Sequence, residues 1–458
     1  MKNPLLVPEL REMLAKGETS ALKNFCEETH PETIAEMLSG LETSEIWSIL
    51  KLLTVPLRAE IITHFDFDIQ VELVTGQNRK DMAQLIEEMP PDDRADLVQR
   101  LDENVRDEIL PLIAKAERED IRKLLEYKEG TAGAVMSTEY AALKPSITIA
   151  EAIENLRAQA AGRETIYYVY VVDDDRRLIG FVSLKDLIIA KPSLKVSEIM
   201  HKDIISINVN EDQEEAARKI QKYDLIAIPV VDEKNALVGI ITHDDALDII
   251  TQEQTEDMEK FMAISGSHEI GDYLKMSPLE HFRKRVFWII ALTFMGFISG
   301  AVIHRFEATL MSMMILAFYM PMLADTGGNT GSQAATLVVR ALALKQICSR
   351  DFVRIVLKEL LVGFLLAGTL WLIVFLRVII MSSSVSLPSG HSLAKVASVI
   401  ASALGIQIVS STIIGAMLPL AAKALKFDPA VVASPAITTV VDITGLIIYF
   451  SVATIFLS

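Results

Sequence analysis

Cysteine is almost missing from this 458-residue chain: Cys26 and Cys348 are the only two, far apart, so no disulfide framework holds it. That usage fits a soluble part in reducing cytoplasm. The glycine-rich run at 327–331 lacks the Gly-Lys-Ser/Thr ending of a phosphate loop, and no ATPase or coupling motif is visible elsewhere. A membrane metalloprotease would need His-Glu-x-x-His; His268-Glu269 is followed by Ile270, Gly271 and Asp272, outside any apolar segment. The opening MKNPLLVPELREML carries acids and a proline and has no long apolar core, so no signal peptide is expected. Basic residues are scarce in residues 1–280, where 31 Lys and Arg face 55 Asp and Glu, a net of −24. Such a region repels nucleic acid and anionic lipid and attracts divalent cations. Residues 281–458 reverse this, with 13 basic and 6 acidic residues. An acidic soluble region therefore precedes a membrane domain.

The last apolar stretch, VVASPAITTVVDITGLIIYFSVATIFL from Val431 to Leu457, has a single charged residue, Asp442. A carboxylate at that depth costs at least about 2.5 kcal/mol unless it meets water, a cation or a partner, and Asp is too short to reach a surface. It is either neutralised by a hydrogen bond inside a helix bundle or part of a cation path.

Residues 1–130 show apolar residues at helical spacing in ETIAEMLSGL, SEIWSILKLL and DMAQLIEEMP, which predicts stacked helical hairpins, a small all-α superhelix. Residues 131–252 hold an internal repeat: YYVYVVDDDRRLIGFVSLKDLI matches IAIPVVDEKNALVGIITHDDALDII, with Gly180/Gly239 and Asp186/Asp245 at equal offset. Each copy predicts strand, acidic turn, strand and helix start. The pattern resembles a tandem CBS pair, an α/β module in which a Ser or Thr three residues before an Asp often binds an adenine nucleotide's ribose. Ser183–Asp186 and Thr242–Asp245 stand in those places, with Tyr168 as a further candidate nucleotide contact; equally, Ser183 and Thr242 are ordinary helix caps. Residues 253–280 predict an amphipathic connecting helix broken near Ser265-Gly266. Residues 281–458 predict five apolar membrane segments, near 286–303, 309–342, 355–381, 393–422 and 430–457. Lys- and Arg-rich loops place the N-terminus in the cytoplasm and the C-terminus outside.

Within the second apolar segment stands Pro321-Met-Leu-Ala-Asp325-Thr-Gly-Gly-Asn329-Thr-Gly-Ser-Gln333. Three glycines and two amides suit a bent backbone lining water, or close helix packing. Amide and carbonyl oxygens can hold the water shell that magnesium sheds reluctantly. Pro429 and Pro435 are expected to interrupt or kink the helix before Asp442 and free carbonyls near Ala436, with the Thr438 and Thr439 hydroxyls close by. In the soluble region, Asp92 and Asp96 share a helix face. Asp244, Asp245, Asp248, Glu253, Glu256 and Asp257 crowd into fourteen residues, an arrangement that cations relieve.

The runs PMLADTGGNTGSQAATLVVRALA and SPAITTVVDITGLIIY, with this order of domains, resemble the MgtE family of magnesium channels. The resemblance implies a homodimer in the cytoplasmic membrane, not an enzyme, with its pore between subunits. The second and fifth membrane helices would line that pore, with Asp442 for ion selectivity and Asn329, Gly328, Ala436 and Thr439 about the ion. It implies cytosolic magnesium bound by Asp92, Asp96, Asp224, Asp245, Asp248, Glu253, Glu256 and Asp257, which closes the channel. ATP at the CBS pair is a further expected ligand. The alternative is a broader carrier of cobalt, manganese or zinc; a pore motif with oxygen ligands and no Cys or His favours hard cations.

Overall fold

The computed structural model describes residues 7–264, 276–383, 385, 387–388, 391–431 and 434–457, and it divides into two compact units, 1–251 and 252–458.

The first unit opens with helices α1 (Val7–Lys16), α2 (Thr19–Glu28), α3 (Pro31–Leu38), α4 (Thr43–Leu50), α5 (Val55–Thr63), α6 (Phe67–Thr75), α7 (Arg79–Glu87), α8 (Pro91–Arg100), α9 (Glu103–Ile109) and α10 (Lys115–Leu125). Their starts are written locally. Proline occupies the first turn of α3, α5 and α8, where no amide partner is lost, and Asn78 accepts from the Lys80 and Asp81 amides to cap α7. Helices this short are marginal alone. They are stabilised by stacking in two alternate rows, α3–α5–α7–α9 and α4–α6–α8–α10, around Leu38, Ile49, Ile62, Leu73, Ile86 and Leu97. The expected superhelix is what forms.

The repeat folds as two matching three-stranded sheets. The first contains β1 (Tyr140–Leu143), β2 (Thr165–Val172) and β3 (Leu178–Ser183), the second β4 (Ile207–Asn208), β5 (Ala227–Val231) and β6 (Leu237–Thr242). In each the first pair is parallel and the second antiparallel, and both copies shift register at the matched Val171/Val172 and Val230/Val231. Helices α11 (Ile149–Gln159), α12 (Leu184–Ile189), α13 (Val196–Ile199), α14 (Gln213–Tyr223) and α15 (His243–Phe261) complete the module. Gly180 and Gly239 are needed at one equivalent place: a Cβ there would lie 3.0 Å from the His201 carbonyl oxygen and 2.9 Å from the Ser137 carbonyl oxygen, respectively. α15 is continuous to Phe261, so no break separates the second CBS copy from the connecting segment at 252–253. The break expected at Ser265-Gly266 lies outside the described residues, as does His268–Asp272.

The second unit carries α16 (Pro278–Arg305), α17 (Glu307–Ser312), α18 (Ile315–Ala343), α19 (Phe352–Met381), α20 (Leu393–Ala424) and α21 (Ser434–Leu457). Four of these, α16, α19, α20 and α21, are long and apolar enough to cross a membrane. α18 is as long, 29 residues, but its middle is the polar glycine-amide run. α18, α20 and α21 pack on one another, α19 on α20, and α16 on α21.

Two sequence expectations are corrected here. The glycine-amide run does not break its helix: α18 continues uninterrupted through Gly327, Gly328 and Gly331. The glycines instead form notches. A Cβ on Gly415 would lie 2.1 Å from the Gly331 carbonyl oxygen, and one on Gly328 would lie 2.7 Å from Thr438 Cγ2. Gln407 fills two such notches, Gly327 and Gly445, and donates from Nε2 to the Leu323 carbonyl at 3.1 Å. Close approach through small residues is what holds membrane helices together. Nor do the prolines kink α21. Pro435 sits in its first turn, where a missing amide costs nothing, and Pro429 opens a short 3-10 turn at Pro429–Val431. The Ala436 carbonyl therefore lies within the helical ladder.

Gly415→Ala should lower the thermal stability of the detergent-purified protein by about 1–3 kcal/mol, because a backbone carbonyl cannot yield to the new methyl. Gly368→Ala on α19, where no atom lies within 4 Å of the new Cβ, should be neutral or stabilising. A fluorescence-detected melt of both variants checks the contrast.

Candidate ion path and acidic regulatory face

In the second unit, α18 presents Asp325 and Asn329 one turn apart on an exposed face, and Asn329 Nδ2 donates to Asp325 Oδ1 at 3.2 Å. That bond leaves Asn329 Oδ1 as an acceptor. Asp442 is half-buried on the packed helix α21; its Oδ1 is shut away from solvent with no hydrogen bond from the described residues, and Asp325 is the charge that acts on it. Hydroxyls link α18 to α21: Ser434 Oγ donates to Ser332 Oγ at 3.0 Å, and Ser332 and Thr438 lie 3.3 Å apart. Thr438 and Thr439 donate to the carbonyls of Ser434 and Pro435, four residues back, at 3.1 and 2.9 Å. Their oxygens keep lone pairs. A hydrated cation turns its water protons outward, so a path for it needs acceptors, and this cluster supplies them.

In the first unit, a second set of acids meets across the helical domain and the CBS pair. α8 brings Asp92 and Asp93 in its first turn and Asp96 one turn on; α15 brings Asp244, Asp245 and Asp248. Asp92 Oδ1 is buried without a hydrogen-bond partner. Burial, and then Asp93 and Asp245, hold the Asp92 carboxyl well above the usual range. Asp93 is pushed up to about 7 by burial, with Asp245, Asp96, Glu164 and Asp248 adding to it. Asp245 is raised by burial although the Thr242 hydroxyl and amide both donate to it. Asp248 is raised by burial and by Asp244. Among the described residues, no three His, Cys, Asp or Glu side chains converge closely enough to hold a bare metal ion.

The residues expected to bind cytosolic metal thus divide. Asp92, Asp245 and Asp248 come together. Asp96, one turn along α8, keeps its side chain open to solvent at the edge of the set, yet partial desolvation raises its carboxyl to about 6, with Arg100 lowering it and Glu129 raising it. Asp224 instead closes α14 in the left-handed conformation, φ 51°, and is not among the charges acting most strongly on Asp92, Asp93 or Asp245. Glu253, Glu256 and Asp257 belong to the second unit, where Glu256 pairs with Lys260, and Lys260 Nζ reaches Asp428 Oδ2 at 3.1 Å. Asp257 is raised by burial and by Asp428. Sequence spacing missed Asp93 and Glu164. Asp93 is only a step around α8 from Asp92, but the four-residue rule selects Asp96. Glu164 precedes β2 and carries no local signal at all.

At the candidate nucleotide place, Ser183 and Asp186 form a capping box, with Ser183 Oγ donating to Asp186 Oδ2 at 2.6 Å and His201 Nε2 3.1 Å from the same oxygen. Hydrogen bonds from Ser183 and His201 hold Asp186 below the usual carboxylate range despite slight desolvation. In the second copy Asp245 Oδ2 likewise accepts from the Thr242 amide and hydroxyl. Tyr168 lines a small cavity of about 90 Å³ with Phe181, Asp203, Leu225 and Pro229.

Residues 320–452 match the divalent cation transporter family MgtE, residues 29–130 the MgtE intracellular N domain, and residues 132–193 and 196–252 the CBS domain. The magnesium transporter MgtE of Thermus thermophilus is 36% identical over 464 residues, which cover 99% of this chain and 98% of that protein. The magnesium transporter MgtE of Bacillus subtilis is 33% identical, covering 97% and 96%. Among solved structures, the cytosolic domain of the magnesium channel MgtE in complex with ATP is 37% identical with a TM-score of 0.51, covering 52% of this chain and 98% of that one. The soluble part of a magnesium transporter is 31% identical with the same TM-score, covering 54% and 97%.

Without divalent ions, docking of α8 against α15 should depend on pH. The docked state raises the Asp93 carboxyl to about 7, so it binds more protons than the separated state. Docking is then favoured at pH 6 and lost as pH rises through 7. Spin-label distances between α8 and α15 in EDTA should lengthen from pH 6 to pH 8, and Asp93→Asn should flatten that change.

Proposed function

The chain belongs to the MgtE family of magnesium transporters, and from that premise we propose that it is a magnesium-selective channel gated by internal magnesium. It is a multi-pass membrane protein and a transporter of magnesium, not an enzyme. The observation that carries the channel reading is Asp442: one carboxylate in an apolar helix, with an enclosed oxygen that no protein group satisfies, beside the Asp325–Asn329 pair. A buried charge without a partner is expensive, and a cation passing with its water shell relieves it. In a homodimer with its pore on the two-fold axis, two Asp442 carboxylates would share that ion and repel each other without it. The Asn329 Oδ1, the Thr439 oxygen and the second lone pair of the Ala436 carbonyl accept from the ion's waters, and Gly328 lets α18 and α21 approach. Flow follows the electrochemical gradient inward, with the N-terminus in the cytoplasm and the C-terminus outside. Oxygen ligands favour magnesium over softer metals; a broader carrier of cobalt, manganese or zinc is the alternative reading.

Gating follows from the acidic face. With internal magnesium low, Asp92, Asp93 and Asp96 repel Asp245 and Asp248, and the helical domain separates from the CBS pair. With magnesium high, hydrated ions bridge them, and the connecting segment, with Glu253, Glu256 and Asp257, closes the pore. Asp224 joins only on rearrangement. ATP at Tyr168, Ser183 and Asp186 is a second input, supported by the relative whose cytosolic domain was solved with ATP.

Asp442→Asn should lower magnesium flux into proteoliposomes at least tenfold with the protein still assembled, since a charge contact contributes about 4 kcal/mol at intermediate dielectric. Wild-type flux and selectivity in that variant would sink the assignment. Asn329→Leu should reduce conductance more than Asn329→Ser, because serine keeps an acceptor; equal currents would make the run packing alone.

A further inference from the structure

The first unit holds few basic side chains against its acids, yet four of them gather around two adjoining cavities, one within the first CBS copy and one where the helical domain meets the CBS pair. The smaller cavity, about 220 Å³, has only Arg163 and Arg176 as charged lining, with Gln159, Thr138 and Tyr140 beside them. The larger, about 340 Å³, shares Thr138, Tyr140 and Arg176 and adds Arg94 and Lys123 with Glu117, Asp120 and Glu139. Neither shares a residue with the Tyr168 cavity.

Several of these groups are already committed. Thr138 donates to Asp120 at 2.6 Å, Tyr140 donates to the Leu237 carbonyl at 2.9 Å, and Arg176 Nη2 donates to the Tyr140 oxygen at 2.5 Å. Arg94, 3% exposed, spends Nη2 on the Met89 carbonyl at 2.9 Å and on Glu139 at 3.6 Å. What remains unsatisfied is specific. Arg163 Nε in the smaller cavity, and Arg94 Nε and Glu117 Oε2 in the larger, are buried without hydrogen-bond partners. Buried polar atoms are ordinarily paired, so each such orphan needs a partner from outside the chain. The wall of the smaller cavity holds two guanidiniums and no carboxylate, with Glu139 of the adjoining cavity the acid that acts on Arg163; that excess suits an anion, and guanidinium forks match phosphate oxygens. In the larger one, a buried donor and a buried acceptor call for a group that is both, which is a hydroxyl.

We propose that these joined cavities bind a small phosphorylated sugar or polyol, with the phosphate on Arg163 and Arg176 and a hydroxyl between Arg94 Nε and Glu117 Oε2. The ligand would touch α8 and α10 on one side and β1 and the β2–β3 turn on the other. It would therefore hold together the same two bodies that the acidic face separates, from the opposite charge. That consequence rests on the gating reading above; the binding itself does not.

The test is equilibrium dialysis of radiolabelled ribose 5-phosphate against the purified full-length chain in detergent and EDTA. Saturable binding of one ligand per chain is expected, weakened roughly tenfold or more by Arg163→Gln with Arg176→Gln and unchanged by Asp186→Ala. Glu117→Ala should weaken ribose 5-phosphate but leave inorganic phosphate unaffected. Arg176 is exposed on a turn, so Arg176→Gln alone serves if the double variant does not purify as a folded dimer-sized species. No saturation by about 10 mM, binding indifferent to Arg176, or binding lost with Asp186→Ala would overturn the proposal. Bound ribose 5-phosphate with an unchanged magnesium response would instead refute the gating link and leave the site standing.

Discussion

A carboxylate oxygen enclosed without a hydrogen bond needs a partner from outside, and this constraint recurs in both units. Among the described residues, Asp442 Oδ1 meets it within the membrane helices, and Asp92 Oδ1, beside the buried Asp93, meets it where the helical domain faces the CBS pair. Each arrangement holds its acids near one another before any ion arrives. Each therefore becomes more stable when a cation, or a proton, is present. On the proposed reading, permeation and sensing would use the same chemistry and differ in what surrounds it: closely packed, notched helices at Asp442, and two domains meeting across an acidic face at Asp92.

Small residues bring the membrane helices into close contact. Gly331 against Gly415 lets α18 and α20 meet backbone to backbone, and Gln407 fixes α20 between α18 and α21 through Gly327 and Gly445. A path that must hold a hydrated ion at a set distance cannot tolerate loose walls, and helix packing in a membrane has no hydrophobic drive to tighten it. The acidic face is built differently: the helical domain has its own apolar core, and α8 carries its acids on that core.

Much of this was legible in the residues. The helical periods around Ile34 and Met82, the matched glycines of the repeat, and the apolar segments each follow from local pattern, and the structure has helices, paired sheets and long helices at those places. The glycine-amide run was half legible. Its composition marks a special stretch, but bending and close packing ask for the same residues, and only the partners Gly415, Thr438 and Gln407 decide between them. Pro435 misled for a similar reason: proline kinks a helix interior and suits a first turn, and the start of α21 could not be fixed to a residue beforehand. Glu164 and Arg94 were invisible, because their significance lies in tertiary neighbours far along the chain.

If cation binding at the acidic face closes the channel, it does so through the helical domain. The direct measurement is current through inside-out patches as magnesium on the cytoplasmic face is raised, for the intact chain and for one lacking residues 1–130. Magnesium should close the intact channel cooperatively, and the shortened channel should still conduct but need far more magnesium to close. Equal inhibition of both would contradict it.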